Sequence, residues 1–417
     1  MKTIPDLPAD IRILFSTRFL RLFAFGSLSV ILALYLSDLG LSEAEIGTLL
    51  TITLLGDTAI SLWMTTHADR AGRRRMLRAG AGLMALGAGL FAITQDYTVL
   101  LLAGMIGIIS PSGGEVGPFL SIEQAALSQL IPDRERTGLF AWYNLTGSFA
   151  TALGSLAGGG ISQLLQGAGS PAPTSYRAVI WAYAIAGLLL VGLFTRLTTS
   201  VEVPVAPRAT TTADPGDPRR PLGLGRSRKL VLRLTGLFSF DAFAGGFIVQ
   251  SLLALWFSQR FGVEPALLGA IFFGANMLAG VSALTAAWIA ARIGLIRTMV
   301  FTHLPANVLL ILLPFMPTLG LAIALLLVRS SISQMDVPPR QSYVMAVVEP
   351  DERSAASGIT NVARTIGASL SPALAGVLMA NAATLSLPLL IAGGMKIVYD
   401  LSLYFQFRDV RPPEEHP

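Results

Sequence analysis

Long apolar stretches separated by short polar breaks run the length of the chain. A helix of about 20 apolar residues crosses a bilayer. Stretches of at least that scale lie at 13–36, 44–66, 76–94, 98–130, 138–165, 178–197, 230–259, 265–290, 298–316, 319–347, 355–381 and 384–407. They predict an all-α membrane protein with twelve transmembrane helices. The fourth and tenth stretches are too long for one straight span. They contain breakers: Pro111, Gly113, Gly114, Gly117 and Pro118 in one, Pro338 and Pro339 in the other. Both are expected to bend or to project into the cytoplasm. Residues 198–228, rich in Pro, Thr, Arg and Asp and without apolar periodicity, read as a flexible cytoplasmic linker. The expected organisation is an N-terminal six-helix bundle over 1–197, the linker over 198–228 and a C-terminal six-helix bundle over 229–417.

Basic residues orient the spans. One set of loops holds Arg70, Arg73, Arg74, Arg75, Arg78, Arg134, Arg136, Arg219, Arg220, Arg226, Arg228, Lys229, Arg233, Arg292, Arg297 and Arg353; the alternate loops hold Arg177 and Arg260. Cytoplasmic loops carry the excess of Lys and Arg, so both termini are expected in the cytoplasm and the number of spans is even. The first ten residues are polar, and no small-residue cleavage site follows the first apolar stretch. That stretch reads as an uncleaved span in the cytoplasmic (inner) membrane.

The two halves resemble each other. Arg136 is followed eight residues on by Asn144, and Arg353 eight residues on by Asn361, both after a Pro-Asp pair (Pro132-Asp133 and Pro350-Asp351). Glu123-Gln124 lies at the offset of Arg340-Gln341. Arg70, Gly72 and Arg75 match Arg292, Gly294 and Arg297, and Gly40 and Gly47 match Gly262 and Gly269 in spacing. Four matches in the same order suggest a duplicated, pseudo-symmetric unit, an architecture used by transporters.

Composition agrees with the pattern. The chain is 53% hydrophobic and 13% charged, about half the charge of a soluble domain. A net charge of +5 is weak evidence for nucleic acid, and none is expected as a partner. The absence of cysteine excludes disulfides, thiolate metal sites and cysteine nucleophiles. His67, His303 and His416 are far apart, so no metal is expected. No nucleotide-binding G-x-x-x-x-G-K-S/T loop, H-E-x-x-H or G-x-S-x-G motif is present. The expectation is therefore a protein that is not an enzyme and needs no cofactor.

Charge inside a span costs about 2.5–3.5 kcal/mol at a helix centre on insertion scales, so each such residue needs a reason. The candidates are Arg18, Arg21, Asp57, Glu115, Glu123, Asp241, Arg329, Asp336, Arg340, Arg364, Lys396 and Asp400. Arg18 and Arg21 either snorkel to headgroups or face a cavity and attract anions. Lys396 and Asp400, four apart on one helix face, are expected to pair. Glu115 follows the breakable Pro111-Ser112-Gly113-Gly114, and unwound backbone at depth belongs where it is buried or lines a cavity. Glu123 and Arg340 hold matching repeat positions with opposite charge. They are expected to meet, as a gate formed in one access state or as a static pair. Glu115, Asp336, Asp57 and Asp241, with Arg329, are the candidate substrate and proton-coupling residues, since low dielectric makes a carboxylate hold its proton. A hydrogen-bonded structural role is the alternative for Asp57 and Asp241. The glycines Gly147, Gly154, Gly158, Gly159 and Gly160, and Gly358, Gly367 and Gly376, read as helix-packing faces.

The loop after the second span, Ala68-Asp69-Arg70-Ala71-Gly72-Arg73-Arg74-Arg75-Met76, resembles the major facilitator superfamily signature G-x-x-x-D-R-x-G-R-R/K, with Thr65 at the leading Gly. Gly154-Ser155-Leu156-Ala157-Gly158-Gly159 resembles the exporter-associated G-P-x-x-G-G of that family, with Ser for Pro. The arginine that proton-coupled members carry early in the fourth span is absent, Leu101 and Leu102 standing near its place. The run 333–343 looks like a branch of unknown substrate. The resemblance covers the transmembrane region. It implies the two-bundle fold, alternating access about a central site, and a gate at Asp69, Arg70, Gly72 and Arg73 that stabilises the outward-facing state.

The leading functional expectation is a secondary active transporter that exports amphipathic or drug-like small molecules in exchange for protons. The alternative is an organic-anion importer or exchanger, favoured by the arginines. A non-transporting receptor or lipid scramblase is the reading from another class. The expected partners are a small-molecule substrate, protons and the lipid bilayer, with one chain sufficient for function.

Overall fold

A computed structural model describes residues 8–202, 224–349, 352–408 and 410. The middle of the expected linker, with Arg219 and Arg220, the Pro350-Asp351 pair and His416 lie outside these residues. Every regular element among the described residues is helical: α1 Ala9–Asp38, α2 Glu43–Ala71, α3 Arg73–Ile93, α4 Tyr97–Ile106, α5 Phe119–Leu130, α6 Asp133–Gly167, α7 Ala172–Thr195, α8 Arg228–Gly246, α9 Gln250–Phe261, α10 Pro265–Ile293, α11 Leu295–Leu312, α12 Leu319–Ser330, α13 Val337–Val347, α14 Arg353–Met379 and α15 Leu387–Phe407. Nine helical segments among the described residues are long and apolar enough to cross a membrane, and α4 and α12 are shorter apolar helices. The protein is an all-α, multi-pass membrane protein.

Polar punctuation sets the helix ends. Ser42 and Glu45 form a reciprocal capping box at the start of α2, and the carboxylate of Asp96 caps α4. Gly72 and Gly294, matched in the sequence repeat, turn the chain from α2 into α3 and from α10 into α11 at φ of 98° and 89°. A side chain would be strained at either position, which explains why both halves carry glycine there. The fourth stretch breaks between Ile106 and Phe119, and the tenth between Ser330 and Val337. A third break, between Gly246 and Gln250, divides the seventh stretch, which the hydrophobic pattern reads as one helix over 230–259. Adjacent Gly245 and Gly246 are its sequence signal.

The described chain packs as two compact units. The first comprises residues up to 204 with 248–277 and 372–386; the second comprises 205–247, 278–371 and 387–417. The units are thus not coextensive with the two sequence halves, because parts of the seventh, eighth and eleventh spans pack with the first half. Within the first unit glycines make the fit. A Cβ on Gly159 would meet the backbone of Pro265 and Gly269, and one on Gly47 the backbone of Pro372 and Gly376. Close backbone approach of this kind uses small residues. A buried polar knot lies beside them. Gln250 Nε2 donates to Ser29 Oγ (2.8 Å) and Ser155 Oγ (3.1 Å), and Asn276 Nδ2 donates to Gln250 Oε1 (3.1 Å). Ser155, which departs from the family's proline, is a hub of this knot. The second unit is built around Val231, Leu234, Phe238, Val300, Tyr343 and Leu403.

Both described ends of the linker are pinned. Glu202 accepts from the backbone N–H of Arg73 (2.7 Å) and Arg74 (3.2 Å). Glu352 accepts from the N–H groups of Gly225, Arg226 and Ser227 at 2.9, 3.0 and 3.1 Å. Residues 202 and 225–227 of the expected linker are thus held by hydrogen bonds.

Candidate functional site

In the first unit, α1 presents Thr17, Arg18 and Arg21 to one side. The non-helical segment between α4 and α5 carries Glu115, α5 carries Glu123, and α6 carries Tyr143 and Asn144. These side chains form one network. Arg18 bonds Glu115 Oε2 at 3.0 Å, and Arg21 bonds Glu115 Oε1 at 2.8 Å and both oxygens of Glu123 at 2.9 and 2.7 Å. Thr17 donates to Glu123 (3.1 Å), the hydroxyl of Tyr143 donates to the same carboxylate, and Arg18 donates to Asn144 Oδ1 (3.3 Å). Arg21 and Glu123 are wholly buried. Buried charges persist only when paired and hydrogen-bonded, and two guanidinium groups here face two carboxylates. Arg18 and Arg21 therefore do not snorkel.

The segment that carries Glu115 is held by side chains where helix bonds are missing. Tyr183 donates to Ile108 O (2.6 Å), Thr151 to Gly113 O (3.2 Å), and Ser251 Oγ to Pro111 O (2.7 Å). Such accounting is obligatory for buried backbone. Asp57 lies buried in α2, with one carboxylate oxygen unpartnered. The N–H of Gly117, just before α5, approaches it. A carboxylate at that place is favoured by the positive end of the helix.

The second unit has its own network with the polarity reversed. Asp241 of α8 bonds Lys396 Nζ of α15 at 2.6 Å and lies 3.6 Å from both Arg340 of α13 and Arg364 of α14. Arg340 also bonds Asp336 at 2.8 Å. The helices equivalent by repeat thus carry Arg21–Glu123 in one unit and Asp241–Arg340 in the other. Lys396 and Asp400 do not form the expected pair. Lys396 turns to Asp241, while Asp400 is taken by His303 Nδ1 (2.8 Å) and Asn307 Nδ2 (2.9 Å). Glu123 and Arg340 likewise have their partners at home. Arg329 of α12 differs from them all. No acid pairs with it among the described residues, and its buried Nε has no hydrogen-bond partner.

At the signature loop the buried residue is Arg73. It bonds Asp69 (2.9 Å), Gln129 (3.0 Å) and the carbonyl of Val201 (3.1 Å). Asp69 sits in the last turn of α2 with its side chain 65% exposed, and Arg70 is exposed. The acid that caps α3 is Glu202. Nothing marks Glu202 in the sequence, where it opens a Pro- and Thr-rich stretch.

The sequence profile of the Major Facilitator Superfamily matches residues 14–372. The chain belongs to the Major Facilitator Superfamily. As a member it is a membrane transporter of small molecules. It is 30% identical to the Uncharacterized membrane protein YJR124C of Saccharomyces cerevisiae over 96% of this chain and 94% of that one. It is 26% identical to the Quinolone resistance protein NorA of Staphylococcus aureus over 37% of this chain and 39% of that one. Among solved structures the nucleoside transporter NupG superposes with a TM-score of 0.74 at 15% identity, over 95% of this chain and 99% of that one.

Proposed function

We propose that this superfamily member carries a small organic anion across the cytoplasmic membrane by alternating access, with Arg329 and the Arg340–Arg364–Lys396 group of the second unit supplying its positive field. The unpartnered Arg329 carries this reading. Glu115, Glu123, Asp241 and Asp336 each have a basic partner within their own unit, so these four acids are already neutralised. The buried Nε of Arg329 lacks a hydrogen-bond partner, and a substrate carboxylate or phosphate would supply one through paired N–H···O bonds. The glycine contacts and the polar knot of the first unit act as the closure on the side opposite the basic loops. Both termini lie in the cytoplasm, and one chain suffices.

A second reading has its own support. The partial similarity to a quinolone resistance protein and the glycine pattern of α6 favour export of drug-like compounds. Thermal melting of the purified protein in lipid nanodiscs separates the two. A panel of carboxylates, organophosphates, lipophilic cations and neutral amphiphiles is added in turn. Stabilisation by anions that is lost in Arg329→Gln supports the anion reading. Stabilisation by cations alone, or by anions equally in Arg329→Gln, refutes it.

A further inference from the structure

The second unit holds a buried acid–base group that neither ion network uses. His303 of α11 is 5% exposed, and Asn307 one turn on and Asp400 of α15 are wholly buried. His303 Nδ1 lies 2.8 Å from Asp400 Oδ1, and Asn307 Nδ2 lies 2.9 Å from Asp400 Oδ2 and 3.1 Å from the same His303 Nδ1. Asn307 Oδ1 is buried without a partner.

These distances admit two proton arrangements. With a proton on Nδ1, the imidazole donates to the carboxylate and Nδ1 cannot accept from Asn307. With Nδ1 bare, it accepts from Asn307 Nδ2 or from a protonated Asp400. The amide completes both cases. In its present orientation it donates to a charged Asp400; turned over, its free Oδ1 accepts from the carboxylic acid. A purely structural bridge needs only one of these arrangements.

We propose that His303, Asp400 and Asn307 form a proton-binding site that couples proton uptake to anion transport. The site takes one proton from hydronium and returns it to water, and no other bond changes. The surrounding charged groups are Lys396 on α15, Asp241 on α8, Asp336 and Arg340 on α13 and Arg364 on α14, and the neutral Tyr399 ring of α15 packs edge-on against His303. Lys396 lies one turn from Asp400 on the same helix, and Asp241 feels both Lys396 and His303. With Arg329, these groups comprise four cations (Arg329, Arg340, Arg364, Lys396) and three acids (Asp241, Asp336, Asp400), a sum of +1 that one bound proton raises to +2. A proton therefore strengthens anion binding, and by reciprocity a bound anion strengthens proton binding. The coupling rests on the anion reading above; the proton site itself does not.

The test is a pH titration of the full chain, labelled with ¹⁵N-histidine, in nanodiscs. Three histidines give three sets of ring signals, and His303 is identified by its loss in His303→Gln. Infrared difference spectra follow the carboxyl group in parallel. We expect the His303 ring to change protonation during the titration, together with a protonated-carboxyl band that is absent in Asp400→Asn. Asp400→Asn should displace the His303 transition, because it removes the adjacent opposite charge. A His303 ring that keeps one protonation state throughout, with no carboxyl band, overturns the proposal and leaves the anion reading standing. A pair that titrates in a protein stabilised by no anion supports the proton site and overturns the anion reading.

Discussion

The substitution Gly159→Val tests whether the glycine contacts of the first unit form in one conformational state only. A Cβ at Gly159 meets Gly269 Cα and N at 2.9 Å, and the carbonyl of Pro265 more closely still. These are backbone atoms and cannot swing aside. Restoring a separation of about 3.5–4.0 Å between carbons requires α6 and α10 to part by roughly 1 Å. Overpacking of this kind costs about 1–3 kcal/mol, and such an energy moves a two-state equilibrium by about 5–150-fold. Gly160, one residue on, has nothing within 4 Å, so Gly160→Val serves as the control. The chain has no cysteine, which permits a clean readout. Ser29→Cys, wholly buried beside Gln250, is labelled with a membrane-impermeant maleimide. The labelling rate should rise about 5–150-fold in Gly159→Val and stay unchanged in Gly160→Val. Unchanged labelling in Gly159→Val with a lowered melting temperature would show that the contact persists in every state, and would refute the reasoning.

Other expectations concern the ion networks and the linker. Arg21→Gln leaves Glu123 buried without its cation and should cost about 3–5 kcal/mol, read as lost thermal stability. Charge reversal at Glu123→Arg should be rescued by Arg21→Glu, its bonded partner, and not by Arg340→Glu; rescue by the latter in a transport assay would restore the gate expected from the repeat. Glu202→Gln weakens the cap on α3 by about 0.5–2 kcal/mol and should speed protease cleavage after α7, measured on the folded protein.

Much of the fold is legible because the bilayer writes it in a long code. Twenty-residue apolar runs, the Pro–Gly cluster at 111–118 and the pair Pro338-Pro339 identify the spans and two of their breaks. The third break was missed because Gly245-Gly246 interrupts no apolar run. Partner choice was hidden for a different reason. The spacing of Lys396 and Asp400 offers a local pair, but Lys396 reaches Asp241 of α8 instead. Asp400 already has His303 and Asn307, residues that lie on α11, about a hundred positions away. The repeat offset identified Glu123 and Arg340 as equivalent. It did not reveal that each half had supplied its own opposite charge, Arg21 in one and Asp241 and Asp336 in the other.

The balance of the Arg18–Arg21–Glu115–Glu123 network has an electrical consequence. A charge moved across a membrane potential gains or loses about 2.3 kcal/mol per 100 mV. Two guanidinium groups locked to two carboxylates carry none, so the voltage exerts no net force on that network however the first unit moves. Voltage dependence must then enter elsewhere, and Arg329 offers the place for it. Empty, it is a single uncompensated positive charge that the field can pull. On the anion reading proposed above, a bound monoanion cancels that charge, and a proton taken up at the His303–Asp400 site restores it. Membrane potential should then act chiefly on the return of the empty carrier if the anion travels alone, and on the loaded carrier as well if a proton travels with it.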